Sequence, residues 1–325
     1  MTTTPARRSV VAPLWLDRPP AENVDVAVTA DRLGYDELWV GEMTTFDAFA
    51  LATAIGARTD RLTLTVGPLA VAVRTPVTLA MGVASVAELT GRPVRLALGT
   101  SSDVIVEQWH GRAQQGRARR LEETAVAVRP ILDGERSDHA GDVVATRGFQ
   151  LRLEPPGAHL TVAASGPRAI GVAARRADRM VLNLVTPDAV AASRAALVDA
   201  AADAGRAAPE VAVWLPAAVD PSRATLAQLR RGVVAYLAAP GYRDMFTAAG
   251  FGDLVEQARA GGHPRDLFAV TPDELVEAVG VVGPAEVAEA RIAAYEAAGV
   301  DEICLVPATA DDPTGARTLD ALRPT

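Results

Sequence analysis

The sequence predicts a (β/α)8 TIM barrel with insertions after strands four and seven. Three observations support this fold: eight short apolar runs typical of buried strands, Ala-rich helical stretches between them, and a length of 325 residues, which suits one such barrel. The apolar runs lack strict alternation, as expected for strands covered on both faces in a parallel sheet. A doubly wound open sheet is the alternative. We expect residues 1–325 to form a single domain, because no Ser/Gly-rich or charge-rich connector divides the chain.

The predicted strands are regularly spaced at first and then unevenly. They cover residues 9–16, 38–41, 62–69, 94–99, 160–165, 179–184, 211–219 and 302–307. The first four recur about every 30 residues, as βα units do, whereas about 60 residues follow strand four and about 80 follow strand seven. The first long segment is predicted to hold a helix and then a hairpin with Gly148 in or near its turn, and the second several helices. Such insertions commonly build the substrate pocket.

Helical spacing between the strands is clearest in three stretches. They cover residues 21–33, 167–177 and 284–298. Gly34 follows the first as a natural stop, and Pro167 and Pro284 are placed to start the other two. In the last stretch, Val287 and Ile292 are expected to face the core.

Charge and hydropathy argue against several classes of protein. The formal net charge is −8, whereas general nucleic-acid-binding proteins present a basic surface. No apolar run approaches the roughly 20 residues of a membrane-spanning helix. The first residues include arginines but lack the apolar core and cleavage site of a secretory signal peptide, so a cytoplasmic location is expected.

All 32 basic residues are arginine. A chain without lysine cannot form a Schiff base with its substrate and has no lysine for a P-loop or a kinase site. The single cysteine, Cys304, excludes an intrachain disulfide and a cysteine-ligated zinc or iron–sulfur site. Four histidines supply few ligands for a catalytic metal, and we predict no metal site.

Small and polar residues follow several predicted strands, where a barrel places its active site. They are Asp17, Glu42, Val66-Gly67-Pro68, Gly99-Thr100-Ser101-Ser102-Asp103 and Ala164-Ser165-Gly166-Pro167. In the last segment a helix begins at Pro167, so free N–H groups and the positive helix end could bind a phosphate, with Ser165 and Arg168 beside it. An ordinary turn with Ser165 as the helix cap is the alternative.

Of the other two small-residue segments, the first has two compatible interpretations and the second has one. The small side chains of Gly99 to Ser102 would let a flat ligand lie against the backbone, or Ser101 or Ser102 could cap the next helix. Pro68 cannot donate a ladder hydrogen bond and Gly67 tolerates unusual dihedral angles, so a β-bulge is predicted there.

Two side chains are candidates for acid–base chemistry. Glu42 lies just past a buried strand and could act as a base, a hydrogen-bond acceptor or a helix cap. His110 could act as an acid or base because imidazole titrates near neutral pH, and a packing role is the alternative. No Ser–His–Asp or metal-ligand spacing is evident.

In their order along the chain, these features resemble the luciferase-like monooxygenase superfamily of flavin and deazaflavin oxidoreductases, and most closely its branch that depends on coenzyme F420. The matching stretches are ADRLGYDELWVGE (30–42), TVGPLAVAVRTPVTLAMGVASVAELTGRPVRLALGTSS (65–102), EQWHGR (107–112), VAASGPRAIGVAARRADRMVLN (162–183) and AAGVDEICLVP (297–307). They occur in the family's order and are distributed over most of the chain, from residue 30 to residue 307. The first two are specific in combination, whereas the last is generic.

The resemblance implies a bacterial luciferase-like barrel, often a homodimer, with the cofactor ring at the C-terminal mouth. It implies a cis peptide bond at Val66-Gly67, a ring or ribityl contact at Gly99 to Ser102, and the cofactor phosphate on Ala164 to Pro167, with Arg168 adjacent. Glu42 would lie near the ring. The implied activity is hydride transfer between F420 and a small organic substrate.

The sequence also departs from parts of this family. In the sugar-phosphate dehydrogenase branch, a histidine follows the Glu42-like carboxylate and a glutamate lies near Ser102, whereas this chain has Met43 and Ser102. Together with the missing lysine, this argues against glucose-6-phosphate dehydrogenase activity. An FMN-dependent monooxygenase and a non-catalytic cofactor-binding barrel remain the alternatives.

Overall fold

The computed structural model describes residues 5–157 and 159–324. Its strands are β1 (Arg7–Val11), β2 (Glu37–Val40), β3 (Thr63–Ala70), β4 (Val94–Gly99), β5 (Ser137–Ala140), β6 (Ala145–Phe149), β7 (Leu160–Ala163), β8 (Arg179–Asn183), β9 (Glu210–Val219), β10 (Val281–Gly283) and β11 (Glu302–Pro307). The large sheet has the order β10-β9-β11-β1-β2-β3-β4-β7-β8, and an additional β9–β8 pairing closes it. Without β10, its eight strands form the parallel barrel of a (β/α)8 fold, which confirms the predicted fold class.

The helices connect these strands in the alternating order that the sequence predicts. They are α1 (Glu22–Leu33), α2 (Ala48–Gly56), α3 (Pro76–Thr90), α4 (Arg117–Leu132), α5 (Pro167–Arg176), α6 (Pro187–Asp203), α7 (Arg223–Val234), α8 (Arg243–Phe246), α9 (Gly252–Arg259), α10 (Pro264–Val270), α11 (Asp273–Ala278), α12 (Ala285–Ala297) and α13 (Ala316–Ala321). Within the described ranges, no helix is both long enough and apolar enough to span a membrane.

Both predicted insertions are present. The one after β4 contains α4 and the β5–β6 hairpin, and the one after β9 contains α7 to α11 and β10. The predicted hairpin turn at Gly148 is wrong, because the turn is closed by a hydrogen bond of 3.0 Å from Gly141 N–H to Val144 O. Gly148 lies inside β6 with φ +67°, a positive value that suits glycine, and the two strands shift register between Ser137 and His139.

The sequence interpretation missed β10 and misplaced one face of α12. Strand β10 has only three residues, too few for a periodic signal, and pairs in parallel with the end of β9. Ile292 is buried as predicted, but Val287 is 48% exposed, so its predicted inward orientation is wrong. Ala288 is fully buried beside it. An Ala-rich helix can bury its small side chains and leave a valine at the surface.

Contacts divide the chain into two compact units. Within the described residues, one unit comprises the chain up to Tyr35, Leu182–Ala195 and the chain from Val211 onward. The other comprises Asp36–Val181 and Ala196–Glu210. We call them the first unit and the second unit.

In the first unit, β1 and β11 carry buried polar groups near their N-terminal ends. Arg8 makes a bidentate ion pair with Glu289 of α12, with N–O distances of 2.8 and 2.7 Å. The hydroxyl of Ser9 donates to Glu302 at 2.6 Å, and the Cys304 thiol lies 3.4 Å from the same carboxylate oxygen. Cys304 is fully buried.

Asp17, which the sequence places after the first strand, has a structural role in this unit. Its carboxylate accepts hydrogen bonds from Gln228 at 3.1 Å and from Arg231 at 2.5 Å. The buried Gln228 side chain also accepts the backbone N–H of Thr309 at 2.8 Å, so one amide connects α7 to the segments that follow β1 and β11.

In the second unit, an ion-pair network lies near the N-terminal ends of the strands. Arg179 is fully buried, donates to Glu37 at 2.7 Å, and stacks 4.3 Å from the ring centroid of Trp39. Thr65 and Arg95 also donate to the Glu37 carboxylate, at 2.5 and 2.6 Å. Burial alone would raise the pKa of Glu37, but the charge and hydrogen bonds of Arg179, with those of Arg95 and Thr65, hold it below the usual value.

Candidate active site

A cleft in the second unit lies beside the C-terminal ends of β2, β3 and β4. It encloses about 410 Å³, counting the space open to solvent. Its lining residues are Glu42, Met43, Pro68, Ala70, Val73, Arg74, Ser101, Ile105, Trp109 and His110. Three of the predicted site residues, Glu42, Ser101 and His110, therefore share one cleft. Pro68, from the predicted Val66-Gly67-Pro68 segment, lines it as well, whereas the other predicted site residues do not.

The end of β3 forms the predicted bulge. The register between β3 and β4 shifts between Val66 and Leu69. Gly67 has φ +123°, and a Cβ added there would lie 2.2 Å from the carbonyl oxygen of Ala97. Only glycine fits at this position, because both the dihedral angle and the close backbone approach exclude a side chain.

The predicted cis bond at Val66-Gly67 is wrong by one residue. The cis peptide bond lies between Gly67 and Pro68. The physical reason is the proline nitrogen, whose tertiary amide greatly reduces the preference for trans. Pro68 itself lines the cleft, whereas Val66 is fully buried.

The loop after β4 turns sharply at Ser101, which has φ +59° although it is not glycine. The side-chain amide of Gln114 donates to the carbonyl oxygens of Thr100 and Ser101, at 2.9 and 3.2 Å. Gln114 is 6% exposed, so the side chain that fixes this turn lies in the protein interior. Sequence reasoning missed Gln114, since a glutamine in a polar loop carries no distinguishing pattern.

The segment after this turn is π-helical from Val104 to Trp109. Ser102 Oγ accepts the backbone N–H of Ile105 at 3.3 Å, so Ser102 has the capping role that the sequence analysis left open. Trp109 is 50% exposed and borders the cleft. π-Helical turns are rare and frequently occur at functional sites.

Glu42 is part of an ion cluster rather than a lone carboxylate. Its Oε2 atom accepts the N–H of Ala48 at 3.1 Å, at the start of α2, and Nη2 of Arg74 at 2.5 Å. The same Arg74 nitrogen also contacts Asp47 Oδ2. Asp47 caps α2 by accepting the N–H groups of Phe49 and Ala50, both at 3.0 Å. We call Glu42, Asp47 and Arg74 the Arg74 cluster.

Charges in the Arg74 cluster stabilise one another. Burial alone would raise the pKa of Asp47, but hydrogen bonds from Arg74 and from the α2 backbone outweigh it and hold the pKa below its usual value. Burial alone would lower the pKa of Arg74, but the hydrogen bonds to Asp47 and Glu42 outweigh it and raise the pKa. The sequence analysis passed over Arg74, although a charged residue shortly after a barrel strand is a usable signal.

His110 lies at the rim of the cleft. It follows the π-helical segment, and its backbone N–H donates to Ile105 O at 3.2 Å. Its side chain is exposed, and within the described residues no hydrogen bond to its ring is observed. The imidazole is therefore open to a ligand or to water.

The start of α5 is the other predicted binding element. Gly166 occupies the N-cap position in extended conformation, with no side-chain cap, so the alternative role of Ser165 as cap is not observed. The first helical hydrogen bond runs from Ile170 N–H to Gly166 O at 3.0 Å. The N–H groups of Arg168 and Ala169 precede it and therefore have no acceptor within the helix.

Space around this helix end is open. A Cβ added to Gly166 would meet no atom within 4 Å. Ser165 and Arg168 are exposed, Ala164 is buried, and within the described chain no ion pair of Arg168 is observed. A helix N-terminus with free N–H groups, an adjacent hydroxyl and an arginine is suited to bind an anion.

The sequence model of the luciferase-like monooxygenase family matches residues 2–302. The chain belongs to this family. One relative found by sequence comparison is a protein of Mycobacterium tuberculosis to which coenzyme F420-dependent oxidoreductase activity is ascribed. It is 23% identical over 328 residues, which span 91% of this chain and 94% of the relative.

Two solved structures share the fold over nearly the whole chain. The coenzyme F420-dependent tetrahydromethanopterin reductase of Methanopyrus kandleri superposes with a TM-score of 0.82 at 16% identity, covering 98% of each chain. A type II Baeyer–Villiger monooxygenase of Pseudomonas putida, in complex with FMN, superposes with a TM-score of 0.70 at 18% identity, covering 98% of this chain and 97% of that one.

Proposed function

We propose that the chain is an oxidoreductase that transfers hydride between coenzyme F420 and a small organic substrate. Its relatives and its higher-scoring structural neighbour support F420 rather than FMN. When bound, the deazaflavin supplies the ring carbon that donates or accepts the hydride. The observation that carries the proposal is the pairing of a glycine-only bulge at Gly67 with the open, uncapped N-terminus of α5 in the same unit.

The residues of the second unit fit such a cofactor. The close backbone approach at Gly67, the small residue Gly99 and the fixed turn at Ser101 would give a flat ring a wall without protruding side chains. The N–H groups that precede the helical ladder of α5, together with Arg168, would hold the phosphate without any lysine.

We propose that His110, rather than Glu42, is the acid–base group of the site. The Glu42 carboxylate is already engaged by Arg74 and by the Ala48 N–H group, whereas the His110 ring is exposed at the rim. Glu42 would then shape and charge the cleft wall, and His110 would exchange a proton with the substrate.

FMN is the second candidate cofactor, because the Pseudomonas putida neighbour with FMN covers nearly the whole chain. The choice between F420 and FMN is tested by titrating the purified protein with reduced F420, oxidised F420 and FMN and measuring binding by fluorescence quenching. We expect saturable binding of F420 with FMN weaker by about tenfold or more. Tight FMN binding without F420 binding would contradict the proposal.

We also propose that the protein forms a homodimer through the outer faces of α2 and α3. Met81 and Leu89 of α3 are 48% and 71% exposed, and the exposed positions of α2 include Ala50 and Ala54. A two-fold partner could place the large side chains of one α3 against the small residues of the other α2. Light scattering should report a dimer that Leu89→Asp dissociates, whereas Leu16→Asp, at a leucine 70% exposed, should leave it intact.

A further inference from the structure

The Arg74 cluster, of which Glu42 and Arg74 line the cleft, carries an excess of negative charge. Two carboxylates, Glu42 and Asp47, contact the same guanidinium nitrogen of Arg74. One positive charge therefore faces two negative charges. The guanidinium carbon also lies 5.0 Å from the ring centroid of Phe49, so this ring covers one side of the group.

Of the three cluster residues, Glu42 and Arg74 line the cleft, and in the part of the chain that the structure describes no other Asp, Glu or Arg side chain does. Six of the remaining lining residues are apolar or aromatic, among them Trp109 with its half-exposed indole, and the other two are Ser101 and His110. An indole face attracts cations and stacks on planar groups, and it offers nothing to an anion. A carboxylate or phosphate entering the cleft would approach Glu42, and the one guanidinium in the lining, that of Arg74, is already paired with both Glu42 and Asp47.

We infer that the Arg74 cluster is a specificity determinant: the part of the substrate that enters this cleft is planar and carries no negative charge, and a positive charge on it favours binding. This inference rests on the proposed function only in treating the cleft as the substrate site. It names a substrate class, uncharged or cationic planar compounds, for the oxidoreductase. Anionic substrates such as sugar phosphates and carboxylates are excluded.

Three bicyclic probes of similar shape test the charge preference directly. They are N-methylquinolinium, quinoline and 2-naphthoate, measured by calorimetry above pH 7 on the purified protein with and without F420. We expect the cation to bind more tightly than the anion by about tenfold or more, with quinoline between them. Because binding is measured rather than turnover, a failure of the F420 proposal would show as absent cofactor binding and would leave the probe ranking readable.

Two charge-neutralising variants locate the effect. Asp47→Asn removes one negative charge and keeps an oxygen that can cap α2, and Glu42→Gln keeps an acceptor for the Ala48 N–H group. Each should reduce the cation-to-anion ratio by about fivefold. Asp142→Asn is the matched control, because Asp142 is an exposed carboxylate on the hairpin turn, paired with Arg119, and does not line the cleft.

Trp109→Leu should weaken both aromatic cations and neutral probes by about fivefold. The proposal is overturned if 2-naphthoate binds as tightly as N-methylquinolinium. It is also overturned if a cation preference survives Asp47→Asn, Glu42→Gln and Trp109→Leu, or if Asp142→Asn reduces it equally. Circular dichroism of each variant identifies one that fails to fold, and the remaining variant of the Asp47–Glu42 pair then decides.

Discussion

Gly67 shows how a single position can join the fold to the site. Its backbone approaches Ala97 so closely that no Cβ fits, and its φ is positive. We expect Gly67→Ala to destabilise the protein by about 2–4 kcal/mol, from strain and overpacking together. Urea denaturation measures this loss. Gly91→Ala, at a positive φ with no atom within 4 Å of the added Cβ, should lose only about 1 kcal/mol. Equal losses in the two variants would contradict the role assigned to the close approach.

Gln114 is a second residue whose importance only the structure reveals. It donates to two consecutive backbone carbonyls at the Ser101 turn. Gln114→Ala should reduce stability by about 1–3 kcal/mol, since both carbonyls lose a buried donor. It should also weaken cofactor binding, because the turn would no longer be fixed. Gln115→Ala, at the exposed neighbouring glutamine, is the control and should change neither quantity.

At the scale of elements, a negative charge at the open N-terminus of α5 should raise the stability of the helix and lower the affinity for F420. Gly166→Asp places a capping side chain at the N-cap position, which should stabilise the helix by about 0.5–1 kcal/mol. The same negative charge should weaken F420 binding by about tenfold, if the phosphate is held there.

Gly166→Asn separates the two effects, because asparagine caps equally well without the charge. It should keep the part of the gain in stability that comes from capping, and much of the affinity for F420. The phosphate placement would be refuted by an F420 dissociation constant that Gly166→Asp leaves unchanged while thermal unfolding shows an intact fold.

Elements of the barrel were largely predictable from the sequence, because each buried strand is an apolar run and each βα unit repeats the same spacing. The exceptions have physical causes. Strand β10 is too short for a periodic signal, and the turn of the β5–β6 hairpin lies at Gly141 to Val144 rather than at Gly148. Gly148 instead takes a positive φ within β6, a use of glycine that looks identical in sequence.

The candidate site was predictable only in part. Strand ends and small residues mark its backbone, since a barrel places strand ends at one mouth. The partners of those residues were not readable: Arg74 and Gln114 reach the site from 32 and 13 residues away from Glu42 and Ser101, respectively. Such contacts depend on tertiary packing and have no local pattern.

At the scale of the whole molecule, acid should destabilise the protein in two stages. His159 is half-buried near Arg179 and Arg95, and its Nδ1 atom has no hydrogen-bond partner. Burial, followed by these two positive charges, holds the pKa of His159 below its usual value. The unfolded chain therefore takes up this proton first as the pH falls. The stability contributed by the neutral imidazole is present above pH 6.5, the usual value, and is lost as the pH falls towards the lower folded pKa.

The second stage belongs to carboxylates whose pKa is held low, such as Glu37 and Glu123. Their contribution is present above the usual pKa of 4.5 and is lost as the pH falls further. His159→Gln should remove the first stage and leave the second, as measured by urea denaturation from pH 4 to pH 8. His110→Gln, at an exposed histidine, serves as the control. If His159→Gln leaves the slope between pH 5 and pH 6.5 unchanged, the assignment is wrong.

The buried thiol of β11 can be used to measure local opening of the barrel. Cys304 is the single cysteine and is fully buried, so a thiol reagent can reach it only when the surrounding strands separate. The labelling rate then measures how often this part of the barrel opens under native conditions, without denaturant and without an introduced probe. A ligand that binds only the closed form would slow labelling in proportion to its occupancy, so one reaction could rank cofactors and substrates before any turnover is known.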